Sequence, residues 1–280
     1  MSYKTILSAC AEAGPVSAEY ELAVALAGRF DAHLELIACG LEPELTLYAY
    51  DGVDAGLIAE MSEKAKGRAH ALATAASAEL DKTGLRSNVR ELVCSYDRLQ
   101  ARFGAFARYA DLVVVAKPKD SEDTVAERLL EGALFDGDAT VLLCPPRAAG
   151  APVPGDTVVI AWNSSQEGLR AVRGAMPFLM QAKRIDIVII DPEPDTELTG
   201  EEPGSLLALM LARQGLEVSV TPKPSSGRAP AEVVREHATD LGADLLVMGA
   251  YGHSRLREYL LGGATRDMLA DMSIPVLMAH

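Results

Sequence analysis

Cysteine is scarce in this chain: its 280 residues hold four, Cys10, Cys39, Cys94 and Cys144, and none lies in a CxxC pair. Their spacing excludes a zinc ribbon or finger. They read as small buried hydrophobes. All four lie in the first half, each at or just past the end of a predicted strand, so a redox or metal role at that shared sheet edge is the alternative. Long apolar runs are lacking too. None reaches the roughly 18 residues of a membrane helix, so no membrane partner is expected. The amino terminus, MSYKTILSAC, carries one lysine and a brief apolar stretch, unlike a secretory signal. The expectation is a cytoplasmic protein. Positive charge is in short supply, with 26 Lys and Arg against 40 Asp and Glu and a net charge of −14. DNA and anionic membranes would repel such a chain, although a local basic patch can still hold a small anion. Several catalytic signatures are missing as well. There is no GxxxxGK loop followed by Ser or Thr, no SGGxDS pyrophosphatase loop, no GxSxG elbow and no HExxH helix. Dedicated catalysis is therefore not expected, and slow ATP hydrolysis is the most that is foreseen.

What is present is a regular alternation. In the first half, TILSA, LELIA, VRELVC, DLVVVA and TVLLCPP read as strands, with helical periods over 17–30, 61–83, 99–110 and 124–137. In the second, TVVIAW, IDIVIID, LEVSVTP, ADLLVMGA and IPVLMAH read as strands, with helices near 167–182, 204–214, 230–241 and 265–272. Continuous apolar strands separated by helices imply a parallel sheet covered on both faces. The stretch PPRAAGAPVPG is the natural linker. The predicted organisation is an α/β domain over 1–146, a linker over 147–155 and a second α/β domain over 156–280.

The halves also correspond residue by residue. Ala110-Asp111-Leu112 and the valines after it match Ala243-Asp244-Leu245-Leu246-Val247. Thr140-Val141-Leu142-Leu143 matches Pro275-Val276-Leu277-Met278, and Lys4-Thr5-Ile6-Leu7 matches Asp156-Thr157-Val158-Val159. This is an internal duplication. The first half carries an extra segment over about 41–62 that includes Tyr48 and Tyr50 and reads as a loop or lid. Ligands of open parallel sheets bind beyond the carboxyl ends of strands, where strand order reverses. That rule points to the ends of the first and fourth strands of each half.

The sharpest local feature follows the fourth strand of the second half. Gly249-Ala250-Tyr251-Gly252 is followed by nine residues and then Gly262-Gly263-Ala264-Thr265. Glycines let the backbone turn tightly and come close to a ligand. Free N–H groups at the start of a helix near Thr265, with the positive end of its dipole, suit phosphates. Thr265 can cap that helix or bond a phosphate oxygen. Arg255, Arg257 and Arg266 add positive charge nearby, opposed in part by Glu258 and Asp267.

LLVMGAYG, HSRLREYLLGGATRDML and IPVLM together resemble the carboxyl end of the universal stress protein family. The resemblance covers essentially the whole chain. It implies two tandem open five-stranded parallel-sheet domains of adenine-nucleotide-hydrolase-like fold, strand order 3-2-1-4-5. The family's motif is glycine, two residues, glycine, nine residues, glycine, then a hydroxyl residue. Gly249, Gly252 and Gly262 fit it, Gly263 departs from it, and Thr265 matches a second hydroxyl position. Where the family has an aspartate ending its first strand, this chain has Asn163, in Ala161-Trp162-Asn163. Ile189 falls where the second strand contacts adenine through its backbone. The resemblance implies a regulatory stress-response protein that binds ATP, AMP or another adenine nucleotide, with or without Mg. Ala161, Asn163 and Ile189 would lie on the nucleoside, and Gly249, Gly252, His253, Gly262, Gly263, Ala264 and Thr265 around the phosphates. Asn163 as a helix cap, Ile189 as strand core and His253 as a plain loop residue are the structural alternatives.

The first half departs from that pattern. Its first strand ends Ser8-Ala9-Cys10-Ala11 with no acid, its fourth is followed by Ala116-Lys117-Pro118-Lys119, and Leu129-Leu130-Glu131-Gly132 echoes the later loop with one glycine only. Pro118 also removes a backbone donor. The first domain is not expected to bind nucleotide. The resemblance implies a homodimer, and a regulatory protein partner is expected beside it. The alternatives are a protein-interaction module without nucleotide, or a lipid-like or metal ligand held by the first half's insertion and cysteines.

Overall fold

The computed structural model describes residues 2–11, 17–42, 55–118, 124–146, 150–192, 202–250, 268 and 271–280. They form two compact units, Ser2–Ala151 and Pro152–His280.

The first unit runs β1 (Thr5–Cys10), α1 (Ala18–Phe30), β2 (His33–Glu42), α2 (Ala55–Leu80), β3 (Ser87–Ser95), a 3-10 turn (Tyr96–Arg98), α3 (Leu99–Ala107), β4 (Leu112–Ala116), α4 (Thr124–Glu131), a π turn (Gly132–Asp136) and β5 (Val141–Cys144). Its strands lie in the order β3-β2-β1-β4-β5, every pairing parallel. The second unit runs β6 (Thr157–Ala161), α5 (Gln166–Gly174), α6 (Met176–Leu179), β7 (Arg184–Ile190), α7 (Ser205–Ala212), β8 (Ser219–Lys223), α8 (Pro230–Asp240), β9 (Leu245–Gly249) and β10 (Val276–Ala279). Its order is β8-β7-β6-β9-β10, again parallel throughout. Renumbered within each unit, both orders are 3-2-1-4-5, the α/β architecture that the resemblance implies.

The sequence explains the covering helices. In α1, Ser17 accepts the Tyr20 N–H at 3.4 Å as N-cap, and Asp31 closes the far end in the left-handed region at φ 51. Its buried residues, Tyr20, Leu22, Ala23, Leu26, Ala27 and Phe30, repeat at helical spacing. In α2, Ala65, Ala69, Ala73, Ala76 and Leu80 are buried along one stripe. These small residues let the helix lie against β2 at Gly40, where an added Cβ would stand 2.0 Å from the Ala65 carbonyl oxygen.

A pair of aspartates ties the amino-terminal ends of the strands. Asp111 Oδ2 accepts the N–H groups of Lys4 at 2.7 Å and Thr5 at 2.9 Å. Asp244 accepts those of Gly155 (2.9 Å), Asp156 (3.0 Å) and Thr157 (3.1 Å). In each unit the aspartate's own N–H returns a bond to the first residue of the central strand, Thr5 or Thr157. The Ala-Asp-Leu repeat of the sequence is thus a repeated structural device.

Some expectations are corrected. The segment expected as a loop or lid over 41–62 is strand through Glu42 and helix from Ala55, and Ser62 Oγ donates to Glu42 Oε1 at 2.6 Å across the two. Tyr48 and Tyr50 lie outside the described residues. The single helix expected over 167–182 is two, α5 and α6, parted at Ala175, because Pro177 has no N–H to continue the ladder. The helix expected over 124–137 ends as the π turn. Of the helix expected from Thr265, Met268 is helical and Thr265 itself lies outside the described residues.

Candidate functional site

Ala161 stands in register with Val188 on one side and Met248 on the other, so β6, β7 and β9 reach the carboxyl rim of the second unit's sheet together. The chain leaves β6 through Trp162 and the exposed Asn163. Asn163 Oδ1 accepts the Ser165 N–H at 3.2 Å, and Ser165 Oγ accepts the Gly168 N–H at 3.0 Å, capping α5. Ser164 between them sits at φ 59, and Asp191, just past β7, at φ 46. Non-glycine residues in this region carry strain and gather at ligand-facing turns. Asp191 is held there by its N–H bonded to the Lys223 carbonyl at 2.9 Å and by the Ser225 N–H bonded to Oδ1 at 2.8 Å. Those Ser225 hydrogen bonds keep its carboxyl below the ordinary value of 3.8. Asp191, Pro192, Pro222, Lys223 and Pro224 line an open depression of about 480 Å³ at the ends of β7 and β8.

The structure thus brings Ala161, Asn163 and Gly249 to one rim. Gly249 ends β9 against the first turn of α5. A Cβ built on it would stand 2.6 Å from the Gly168 nitrogen and 3.1 Å from Glu167 Cβ. Close packing of α5 on β9 therefore requires a glycine here. Ile189 is buried within β7, with its side chain beneath Gly204 at the start of α7 and beside Val220. Gly252, His253, Gly262, Gly263, Ala264 and Thr265 lie outside the described residues.

Sequence reasoning missed Asp191 and a buried network around Asp186. His237 Nε2 lies 2.9 Å from Asp186 Oδ1, while Ser219 Oγ (2.5 Å) and Thr221 Oγ1 (3.0 Å) donate to Oδ2. Burial opposes ionisation of Asp186, but the hydrogen bonds from Ser219, His237 and Thr221 outweigh it and hold the carboxyl below 3.8. The available signal was a carboxylate in the middle of the apolar run IDIVIID.

The corresponding edge of the first unit is different. Cys10 ends β1, and burial pushes its thiol up to about 11. Burial also raises the thiols of Cys39 and Cys94, and all four cysteines are buried. The thiolate is the reactive and metal-binding form, and burial disfavours it at Cys10, Cys39 and Cys94. Among the described residues no three potential metal ligands gather. None of the described helices is long and apolar enough to cross a membrane.

Residues 156–280 match the universal stress protein family. A universal stress protein of Synechocystis sp. is 37% identical over 82 residues, which is 28% of this chain and 28% of that protein. The chain therefore spans well under two thirds of that curated relative. Among solved structures, a universal stress protein from Archaeoglobus fulgidus DSM 4304 aligns with TM-score 0.65 and 16% identity, over 98% of this chain and 97% of that one. A functionally unknown protein from Pseudomonas aeruginosa PAO1 aligns with TM-score 0.55 and 17% identity, over 98% and 92%. These likenesses extend the universal-stress-protein fold to the amino-terminal unit, which the family model does not reach.

Proposed function

We propose that the chain is a tandem universal stress protein whose second domain holds an adenine nucleotide and whose first domain does not. One observation carries the reading: the spacing Gly249-x2-Gly252-x9-Gly262 begins where β9 ends, on the rim that β9 shares with Ala161 and Asn163. Glycine-rich backbone leaving a parallel strand there presents N–H groups to an anion. Asn163 supplies a neutral amide for the nucleoside and Asp191 the neighbouring carboxylate. The phosphates fall to Gly252, His253, Gly262, Gly263, Ala264 and Thr265.

The same reasoning closes the first domain. Gly132, its echo of the later loop, packs against α3, where an added Cβ would stand 2.4 Å from the Gln100 carbonyl oxygen. Beside it Glu131, which matches Gly262 in the sequence correspondence of the halves, is buried, and a carboxylate repels phosphate. The protein then works by binding rather than turnover, as a regulatory element of a stress response whose partners read the loaded state.

Titration calorimetry with ATP and with AMP tests this on the intact protein and on Gly252→Trp. Heat from the intact protein and none from the variant is expected. Equal heat from both overturns the site, and no heat from either overturns nucleotide binding.

A further inference from the structure

Strand β8 is the edge strand of the second sheet, and none of its five side chains is buried. An edge strand without apolar anchorage frays. Yet its end supplies Pro222 and Lys223 to the depression beside Asp191, and the Lys223 carbonyl accepts the Asp191 N–H. The rim where a nucleotide would sit therefore depends on a strand that the hydrophobic core does not hold.

Inside β7, opposite this strand, stands Asp186, 3% exposed. A lone carboxylate at such a position would cost several kcal/mol. Here both oxygens are occupied. Oδ2 takes the hydroxyls of Ser219 and Thr221 from β8, and Oδ1 takes His237 from α8, itself 6% exposed. An ionised carboxylate only accepts, so His237 Nε2 carries the hydrogen in this pair. The parallel register sets Asp186 against Ser219 and Val188 against Thr221. Slipping β8 by one residue would turn both hydroxyls to the other face.

We propose that Asp186 is a positioning residue, an internal anionic pin that fixes the edge strand β8 and helix α8 in register on β7 and thereby sets one wall of the ligand cleft. A core leucine at this place could fill volume but could not tell one register of β8 from another. A carboxylate that must satisfy two hydroxyls and an imidazole can. The link from the pin to nucleotide affinity rests on the function proposed above, whereas the pin itself does not.

Hydrogen exchange without ligand, on the full chain, tests the pin. In Asp186→Asn the amide N–H₂ meets donors, and exchange over 219–223 should accelerate at least tenfold while 245–249 stays within twofold of wild type. Thr221→Val keeps the shape and removes one hydroxyl. It should accelerate 219–223 about threefold at nearly unchanged Tm, and weaken ATP binding by a similar factor. Exchange at the wild-type rate over 219–223 in both variants overturns the pin. So does acceleration spread evenly over the domain, the mark of general destabilisation. Faster β8 exchange in Thr221→Val with unaltered ATP affinity overturns its role in the cleft. Absence of ATP heat from the wild type counts against the nucleotide reading and leaves exchange to judge the pin.

Discussion

Replacing Gly249 by alanine isolates the structural share of the first glycine in the proposed nucleotide loop. The new methyl would stand 2.6 Å from the Gly168 nitrogen, 3.0 Å from the Glu167 carbonyl carbon and 3.1 Å from Glu167 Cβ. Two of these are backbone atoms, which cannot swing aside as a side-chain tip would. The first turn of α5 must therefore move off β9, which loosens the Ser165 cap on Gly168. Overpacking of this kind costs about 1–3 kcal/mol, with up to about 1 kcal/mol more if the cap is lost. In a domain of this size each kcal/mol lowers Tm by about 3–6 °C. Scanning calorimetry without any nucleotide should thus show the transition of the second domain lowered by at least about 3 °C. Gly67→Ala is the control of opposite sign. That glycine lies exposed within α2 with nothing within 4 Å of an added Cβ, so alanine should stabilise by roughly 0.5–1 kcal/mol. A Gly249→Ala protein that melts like wild type in the absence of ligand would refute the packing argument and leave the glycine to the ligand alone.

Two further outcomes are expected. Asp244→Ala leaves the N–H groups of Gly155, Asp156 and Thr157 without their acceptor, and Asp111→Ala those of Lys4 and Thr5. Each should cost about 1–3 kcal/mol in urea unfolding, the former at least as much as the latter; wild-type midpoints for both would remove the clasp from the account of the fold. For Glu131, burial and then the Glu127 charge lift the carboxyl above 4.5, against the pull of Arg128 and with help from Asp136. A raised folded value means that stability is full below about pH 4.5 and is lost as pH rises through that value. Glu131→Gln should therefore raise Tm at pH 7, with the gain closing toward pH 4; a gain that persists unchanged at pH 4 would contradict that linkage.

The strands were legible because buried parallel strands are continuous apolar runs. Their ends were less so. The apolar run LELIA marks only the middle of β2, which runs from His33 to Glu42, with Arg90 and Asn88 of β3 holding the Glu35 carboxylate. β8 begins at Ser219 rather than at Leu216 because its pairing with β7 begins opposite Asp186. Gly249 was legible as a close-approach glycine, but its nearest neighbour is the α5 backbone, distant in sequence. The Asp186 network stayed hidden because its partners lie 33, 35 and 51 residues away. No local pattern marks a contact that only folding creates.

The paired aspartates carry one more consequence. Each half is buckled by an equivalent carboxylate at the amino-terminal ends of its strands, so topology is secured at one pole of the sheet. The opposite pole carries little of that duty and can differ between the halves, with glycines in the second sequence and packed helix and acid in the first. Transplanting the carboxyl-end turns between the halves should therefore exchange chemistry without exchanging architecture.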